Sequence, residues 1–301
     1  MNMPEEIGKL KQERGAVILA HNYTLPEVQD VADFVGDSLE LSVRAKESGA
    51  GVIVFCGVLF MAETAKILSP DSVVLHPNPF AGCPMADMAK FEAVREYKEA
   101  HPDSLLVAYV NTSAATKTLA DICCTSGNAE RIIRSLPPEK RILFLPDANL
   151  GKNIMDQTGR PMELWPGYCP THDRILPEAI QRQRREHPEA EVLVHPECRP
   201  AVTELADQAL STGGMLRQVR ASTAPEFIIG TEIGIIHRMK RENPGKTFIP
   251  PIPHPVCPNM KKISLEDVLS SLQDFSPQIA LPPAVMDLAR QPLERMLAVT
   301  S

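Results

Sequence analysis

The chain has 301 residues, of which 44% are hydrophobic and 23% charged, and its formal net charge is −7. Such a length can bury a large core and predicts two or three domains, while an acidic chain without a cluster of Lys and Arg is a poor candidate for binding nucleic acid. The longest apolar run, residues 51–62, is too short to span a membrane, and residues 1–14 lack the basic and apolar segments of a signal peptide.

The first predicted elements are a helix and a strand. Pro4, Glu5 and Glu6 predict the start of a short helix, because Pro fits the first turn and acids are favoured near the positive helix end. Gly15 is expected to end it. Residues 16–20 form a continuous apolar run, typical of a strand buried on both faces of a parallel sheet. Alternating strands and helices then continue to about residue 260, the pattern of a three-layer α/β domain.

Three Cys-Pro loops recur along the chain, at Cys83, Cys169 and Cys257, with separations of 86 and 88 residues. In each unit an apolar run that ends in polar residues comes first, within residues 17–23, 106–112 and 192–198. An Ala-Asp pair, which we interpret as a helix signal, then a hydroxyl residue and a second apolar run follow. Such a period indicates a repeat architecture. We therefore predict three homologous three-layer α/β/α domains with parallel sheets around a pseudo-threefold axis, covering residues 1–86, 87–172 and 173–260.

The C-terminal tail, residues 261–301, is predicted to be helical. Ser264 and Asp267 have the spacing of a helix-capping pair, and a last helix is expected over residues 285–298. We expect these helices to pack back on the first domain.

Polar residues follow the first strand of every unit. Because ligands bind at the carboxyl ends of parallel strands, three units around one axis would direct these residues to a common centre. They are His21, Asn22, Tyr23, Tyr109, Asn111, Thr112, His195 and Glu197. The hydroxyl residues of the repeat are expected at or near helix N-termini, which favour anions. These are Ser38, Ser126, Ser211 and Thr212. The pattern predicts a small polyanionic substrate.

The seven cysteines are an odd number in a chain without secretory marks, which predicts a reducing, cytoplasmic location and thiols with metal or catalytic roles. Three converging thiolates can hold zinc, although structural zinc usually takes four ligands at short spacings. They can also hold a [4Fe–4S] cluster, which normally takes four cysteines, so that three leave one iron open as a Lewis acid. Three buried thiols without a metal are the third alternative. Of the remaining cysteines, Cys56 is interpreted as a core residue, and Cys198 is expected to point away from the site. The vicinal Cys123 and Cys124 either lie at a helix end or in the core, which we favour, or are redox-active.

The histidines and acids allow two interpretations each. His21 and His195 occupy equivalent places in the first and third units, which favours a role in the site over a structural one. Glu197 is either a general acid/base or the partner of a neighbouring donor. His172 either orders the loop of Cys169 or caps the following helix.

Tyr23 and Tyr109 lie at strand ends, where they either belong to the site or pack in the core with a hydroxyl partner. Glu232 follows the second apolar run of the third unit, and we expect it only at the periphery of the site.

Over nearly its whole length the chain resembles quinolinate synthase, the iron–sulfur enzyme family of NAD biosynthesis. The stretches that carry the resemblance lie at residues 20–23, 32–38, 83–86, 109–111, 117–121, 124–126, 195–198, 230–234 and 259–262. It implies three α/β domains in a triangle and a [4Fe–4S] cluster on Cys83, Cys169 and Cys257.

The resemblance also implies an activity, the condensation of iminoaspartate with dihydroxyacetone phosphate to quinolinate with loss of phosphate and two waters. Tyr23 and Glu197 would transfer protons, and His195 would be both a catalytic-site residue and a binder. The implied binders of carboxylate and phosphate groups are His21, Ser38, Tyr109, Asn111, Ser126, Ser211 and Thr212. A transient contact with the L-aspartate-oxidising enzyme that supplies iminoaspartate would fit this role.

Two other classes remain as alternatives. A zinc-dependent enzyme or structural zinc protein would use the same three thiols with a histidine or water. An iron–sulfur electron carrier would need full ligation and no substrate pocket, which disagrees with three thiols surrounded by acid/base groups.

Overall fold

A computed structural model of the protein describes residues 2–300 and shows the same element order three times. The first unit contains α1 (Met3–Arg14), β1 (Ala16–His21), α2 (Pro26–Val31), β2 (Phe34–Gly36), α3 (Ser38–Glu47), β3 (Val52–Cys56), α4 (Leu59–Leu68), β4 (Val73–Leu75) and α5 (Pro84–Asp87). The second contains α6 (Phe91–Ala100), β5 (Leu105–Tyr109), α7 (Ala114–Lys117), β6 (Ile122–Cys124), α8 (Ala129–Ser135), β7 (Ile142–Leu145), α9 (Ala148–Thr158), β8 (Glu163–Leu164) and α10 (Pro170–Asp173). The third contains α11 (Pro177–Glu186), β9 (Glu191–Val194), α12 (Pro200–Thr203), β10 (Gln208–Ala209), α13 (Thr212–Ala221), β11 (Glu226–Gly230), α14 (Ile235–Glu242) and β12 (Thr247–Ile249). A 3₁₀ turn (Met260–Lys262), α15 (Leu265–Asp274) and α16 (Pro283–Thr300) complete the chain.

The strands form three four-stranded sheets of identical topology within residues 2–300, in the orders β2-β1-β3-β4, β6-β5-β7-β8 and β10-β9-β11-β12. All strand pairs of these sheets are parallel. The first strand of each unit lies in the middle of its sheet, which explains why its sequence is mainly apolar. The predicted fold class, α/β with three parallel sheets, is confirmed.

The helix signals at both ends of the chain are confirmed in detail. The Asn2 side chain caps α1, and Gly15 ends that helix in the left-handed region at φ 57°, where glycine carries no Cβ penalty. Ser264 and Asp267 form a reciprocal capping box at the start of α15. The last helix begins at Pro283, two residues before its predicted start.

The repeated Ala-Asp pairs do not start helices, and that interpretation was wrong. They lead into the edge strand, where the backbone of each Asp pairs with the central strand. Their carboxylates, those of Asp33, Asp121 and Asp207, accept hydrogen bonds of 2.7–2.8 Å from the backbone N–H of Ile18, Leu106 and Val192. Each also pairs with a basic side chain from the first helix of its unit, Lys11, Lys98 and Arg184. The repeated Ala-Asp pairs therefore mark the edge of each sheet, where a charge-assisted hydrogen bond joins the Asp carboxylate to the central strand.

One apolar cluster runs through all three units and contains Leu19, Val107 and Leu193 at equivalent positions. Side chains two residues apart on a strand point to the same face. The residues two positions later, His21, Tyr109 and His195, therefore lie on the side of the shared core.

The two C-terminal helices differ in the units that they contact, and the expectation that they pack on the first domain describes α15 but only part of the contacts of α16. Helix α15 packs against α1, α2 and β3, whereas α16 packs mainly against β6, α7 and α8 and also against α4. The tail therefore joins the first and second units. The domain boundaries after residues 86, 172 and 260 stay predictions; the end residues Met1 and Ser301 lie outside the described range. No helix within that range combines the length and apolarity needed to cross a membrane.

Candidate active site

Three cysteines from three units line one central cavity, which encloses roughly 1130 Å³ of empty space including its mouth. Cys83 and Cys169 are the cap residues of α5 and α10, each followed by Pro at the first helical position, and Cys257 precedes the 3₁₀ turn. Their sulfurs accept hydrogen bonds from backbone N–H groups of the turns that follow. The Cys-Pro sequence thus begins a turn whose N–H groups point back at the sulfur.

The three thiols are close enough to influence one another. Burial raises the pKa of Cys83 to about 12, and the nearby Cys257 adds to that rise. Burial also raises the pKa of Cys169, with further contributions from Glu197 and Cys83. Thiols with such raised pKa values stay protonated unless a metal binds, since coordination deprotonates a thiol. A metal group bound by three thiolates fits this donor set.

The structure also brings most of the other predicted site residues to the central cavity. Its lining includes His21, Tyr23, Ser38, Tyr109, Asn111, Ser126, His195, Glu197 and Thr212. Ser211 is not among the lining residues; it caps α13 and donates to Asp37. Asn22 and Thr112 are not among the lining residues either; Asn22 donates to the hydroxyl of Thr212, and Thr112 donates to the carbonyl of Tyr109.

Glu197 connects side chains of the second and third units. The Tyr109 hydroxyl donates to its Oε1 at 2.5 Å, and His172 Nδ1 lies 2.7 Å from its Oε2. The same Nδ1 lies 3.2 Å from the sulfur of Cys169. All of these side chains except Cys169 are buried, so the carboxylate is largely shielded from bulk water.

The chain of hydrogen bonds continues from His172 to the first unit. Its Nε2 lies 2.8 Å from Thr231 Oγ1, which lies 2.5 Å from the Tyr23 hydroxyl. With the proton on Nδ1 directed to Glu197, Nε2 accepts from Thr231, and Thr231 accepts from Tyr23. One polarised chain therefore joins Tyr23 to Glu197 through Thr231 and His172.

The pKa values divide this chain into donors and an acceptor. Burial raises the pKa values of Tyr23 and Tyr109 well above the usual value of a tyrosine, and Glu197 raises both pKa values further. Burial alone would raise the pKa of Glu197, but the hydrogen bonds from His172 and Tyr109 are among the interactions that lower it. Glu197 is therefore ionised and both tyrosines keep their protons.

His21 and His195 have the same local geometry. Nδ1 of each ring accepts the backbone N–H two residues later, that of Tyr23 or Glu197, at 3.2 Å. Burial lowers the pKa of both rings to about 3, against the raising effect of Glu197. Both rings are thus neutral with the proton on Nε2, the form that donates one hydrogen bond to an anionic ligand.

Asp37 occupies the positive ends of two helices at this site. Its Oδ1 accepts from the N–H of Leu39 and Glu40 in α3, and its Oδ2 accepts from Gly213 N–H of α13. The helix ends expected to attract an anion from solution therefore already face a carboxylate.

Glu232 is more central than expected. It is fully buried, lines the cavity, accepts the backbone N–H of Cys257 at 3.2 Å, and pairs with Lys261 Nζ at 3.0 Å. Lys261 also donates to the carbonyl of Tyr23. This pair links the loop of the third cysteine to the loop of Tyr23.

Two residues of the hydrogen-bonded chain were not predicted as site residues. His172 lies beside the sulfur of Cys169, which fits one of the two roles considered, and it also bridges Glu197 and Thr231. Thr231 follows β11 and has no counterpart at the period, since Gly57 and Pro146 follow the equivalent strands. Spacing from the cysteine was the only signal for His172.

The ligand atoms of Cys169, His172 and Glu197 lie within 4.8 Å of one another and could hold a metal ion. A metal bound there would displace the hydrogen bond between His172 and Glu197.

Comparison with known proteins gives consistent matches over nearly the full chain. The sequence profile of the family described as Quinolinate synthetase A protein matches residues 5–298. The protein named quinolinate synthase from Desulforudis audaxviator (strain MP104C) is 55% identical over 294 residues, covering 98% of this chain and 97% of the relative. Those of the same name from Geotalea uraniireducens (strain Rf4) and Geobacter metallireducens are 51% and 50% identical, covering 98% of this chain and 96% and 97% of the relatives.

Proposed function

The chain belongs to the quinolinate synthase family, and on that premise we propose that it condenses iminoaspartate with dihydroxyacetone phosphate to form quinolinate. Phosphate and two waters leave in the reaction. The observation that carries the proposal is one cavity lined by three thiols and by Tyr23, His172 and Glu197, which a chain of hydrogen bonds joins. Both the thiols and the acid/base groups come from all three units.

The reaction needs proton transfers, because hydroxyl groups leave as water and C–H and N–H protons must be removed. Glu197 is ionised and Tyr23 keeps its proton, which are the protonation states of a proton acceptor and a proton donor, although the lowered pKa of Glu197 makes it a weaker base and the raised pKa of Tyr23 a weaker acid. Thr231 and His172 connect the two groups, and in the orientation described above a shift along the chain carries a proton from Tyr23 towards Glu197, whereas transfer in the opposite direction requires the other tautomer of His172. We assign proton transfer to Tyr23 and Glu197.

The substrates carry two carboxylates and one phosphate. His21 and His195 offer Nε2–H donors, and hydroxyl or amide groups are available from Ser38, Ser126, Thr212 and Asn111. Neutral donors of this kind bind anions without adding charge next to Glu197. We propose that they orient the carboxylates and the phosphate, with Tyr109 holding Glu197 in place.

We further propose that Cys83, Cys169 and Cys257 hold a [4Fe–4S] cluster. Three protein ligands would leave one iron open, and such an iron supplies Lewis-acid chemistry for a substrate hydroxyl or carboxylate. The support lies in three protonated thiols at one cavity, each facing backbone N–H groups of the kind that stabilise ligated sulfur.

The test is chemical analysis of protein purified without oxygen, followed by an assay with both substrates. About four iron and four acid-labile sulfide per chain, with formation of quinolinate, are expected for a [4Fe–4S] enzyme. Zinc without sulfide would refute the cluster and point to the Cys169, His172 and Glu197 group. A loaded cluster without quinolinate formation would refute the reaction. A cytoplasmic location and a transient contact with the L-aspartate-oxidising enzyme stay predictions.

A further inference from the structure

Each unit holds the loop after its first strand by the same unusual contact. One buried side-chain donor bridges two main-chain carbonyls, one and three residues beyond the strand-end residues His21, Tyr109 and His195. The donor atoms are Gln29 Nε2, Lys117 Nζ and Asn153 Nδ2. The bridged carbonyls belong to Asn22 and Thr24, Val110 and Thr112, and Pro196 and Cys198. We call this contact the carbonyl bridge.

The residue between the two bridged carbonyls is a cavity-lining residue in every unit. It is Tyr23 in the first, Asn111 in the second and Glu197 in the third. Two of these are ends of the hydrogen-bonded chain. The bridge therefore fixes the backbone on both sides of a side chain whose direction matters to the site.

In the third unit, the bridge is made by a residue from a different position of the repeat. Gln29 and Lys117 both lie eight residues after the strand end, and the corresponding residue of the third unit is Thr203. The threonine side chain is too short to bridge, but its hydroxyl donates to Asn153 Oδ1 at 2.8 Å. Asn153, from α9 of the second unit, then makes the bridge with its amide hydrogens at 2.7 and 3.2 Å. The contact recurs although its side chain changes, which indicates that its geometry is what the site requires.

Every bridge also contacts a second unit. Gln29 Nε2 also lies 3.0 Å from the carbonyl of Gly234, so its two hydrogens are shared among three carbonyls, and Asn153 reaches from the second unit to the third. Lys117 Nζ lies 5.4 Å from the ring centre of Phe60 in the first unit. The bridges therefore set the loops of the site relative to neighbouring units as well as within their own.

The bridge made by Lys117 allows two interpretations, because a buried amine can act through its hydrogen bonds or through its charge. It is fully buried, and burial lowers its pKa to about 8. However, Lys117 does not line the central cavity, and Gln29 makes the equivalent bridge without a charge. The property that the three donors share is an N–H group placed between two main-chain carbonyls.

We propose that Gln29, Lys117 and Asn153 are positioning residues that direct Tyr23, Asn111 and Glu197 into the central cavity through their carbonyl bridges. This inference rests on the proposed function where its test measures the rate of quinolinate formation. None of the three residues contacts the cavity, so they act through the loops that they hold.

The test exchanges the donors between units. Lys117→Gln and Gln29→Lys keep an N–H donor at the bridge, whereas Lys117→Met and Gln29→Met remove it. We expect the two exchanges to keep most of the rate of quinolinate formation and the two Met variants to lose about 10- to 100-fold in kcat/KM, the scale of a displacement of about 1 Å. Lys66→Met is the matched control, because Lys66 bridges the carbonyls of Pro70 and Ser72 before β4, away from the cavity. Iron and sulfide content of each variant reports whether the site is still assembled.

A Lys117→Gln variant as impaired as Lys117→Met would overturn the proposal, because charge rather than donor geometry would then matter. Normal activity of both Met variants would overturn it as well. If Lys117→Met does not fold, the comparison of Gln29→Lys with Gln29→Met gives the same decision.

Hydrogen exchange of residues 109–113 separates this inference from the proposed function. If the unmodified protein forms no quinolinate, faster exchange in Lys117→Met but not in Lys117→Gln or Lys66→Met still supports the bridge. Unchanged exchange in Lys117→Met would reject it.

Discussion

The Tyr109 hydroxyl donates to Glu197 Oε1 at 2.5 Å across the boundary between the second and third units. Both side chains are buried, at 3% exposure each, so this bond cannot exchange freely with water. It leaves Oε2 to His172 and holds the carboxylate in the orientation in which it lines the cavity. Burial alone would neutralise Glu197, and these two donors are among the groups that keep it ionised by lowering its pKa.

Replacing Glu197 by Gln should stop turnover while the metal centre stays bound. Gln keeps the shape but cannot accept a proton, so we expect kcat to fall by about 10²- to 10⁴-fold, the usual contribution of a general base. Steady-state rates, together with iron and sulfide content, measure both effects. Glu226→Gln, at the amino end of β11, is the control. Full activity of Glu197→Gln would remove it from the proton-transfer role.

Thr231→Val should interrupt the chain between Tyr23 and His172. Val has nearly the same shape as Thr but no hydroxyl, so Tyr23 would lose its 2.5 Å partner and His172 its 2.8 Å partner. We expect kcat to fall by about 10- to 100-fold, with Thr231→Ser close to the unmodified protein. Thr64→Val, which removes a buried hydroxyl bonded within α4, controls for loss of a hydroxyl alone. Equal rates for the Val and Ser variants at position 231 would contradict a role in proton transfer.

Cys169→Ser should abolish acid-labile sulfide, whereas Cys56→Ala should leave it unchanged. Cys169 lines the cavity with the other two thiols, while Cys56 is fully buried in β3. The measurement is iron and sulfide per chain with the visible absorption spectrum. Sulfide retained in Cys169→Ser would refute the proposed ligand set.

Stability should decrease as the pH falls below about 6.5. His21 has a pKa of about 3 in the folded chain against 6.5 when exposed, so below 6.5 the unfolded chain binds a proton that the folded chain does not. Each such histidine lowers the free energy of unfolding by about 1.4 kcal/mol per pH unit in that range.

His21→Asn tests this origin, because Asn Oδ1 can replace Nδ1 as acceptor of the Tyr23 N–H. The variant should show a shallower pH dependence in urea unfolding between pH 5 and 6.5. His254→Asn, at an exposed position, should not. An unchanged slope for His21→Asn would assign the acid sensitivity to other groups.

Asp121→Ala should destabilise the second unit by about 1–3 kcal/mol, because it leaves the N–H of Leu106 without its partner. The midpoint of urea unfolding measures this loss, with exposed Asp103→Ala as control. The equivalent Asp33 and Asp207 variants should behave alike, since each makes the same bond. A loss in only one of the three would contradict a shared role.

How far the sequence was informative depended on whether a feature recurs. The period located the three cysteines and the strand-end residues, because repeated strands place equivalent residues at one edge of each sheet. It misread the Ala-Asp pairs, since an Asp before an edge strand and an Asp at a helix start look alike in a single sequence. It gave no signal for Thr231, which has no repeat counterpart.

By itself, the sequence determined the three units, their parallel sheets, the three thiols and most of the residues around them, because apolar runs and turn residues act locally and recur. Only the tertiary structure decided which groups touch. The chain from Tyr23 through Thr231 and His172 to Glu197 joins residues from all three units, and Asn153 of one unit completes the bridge that Thr203 of another is too short to make. Such contacts depend on how the units pack and on side-chain reach within a few tenths of an ångström, which residue spacing does not encode.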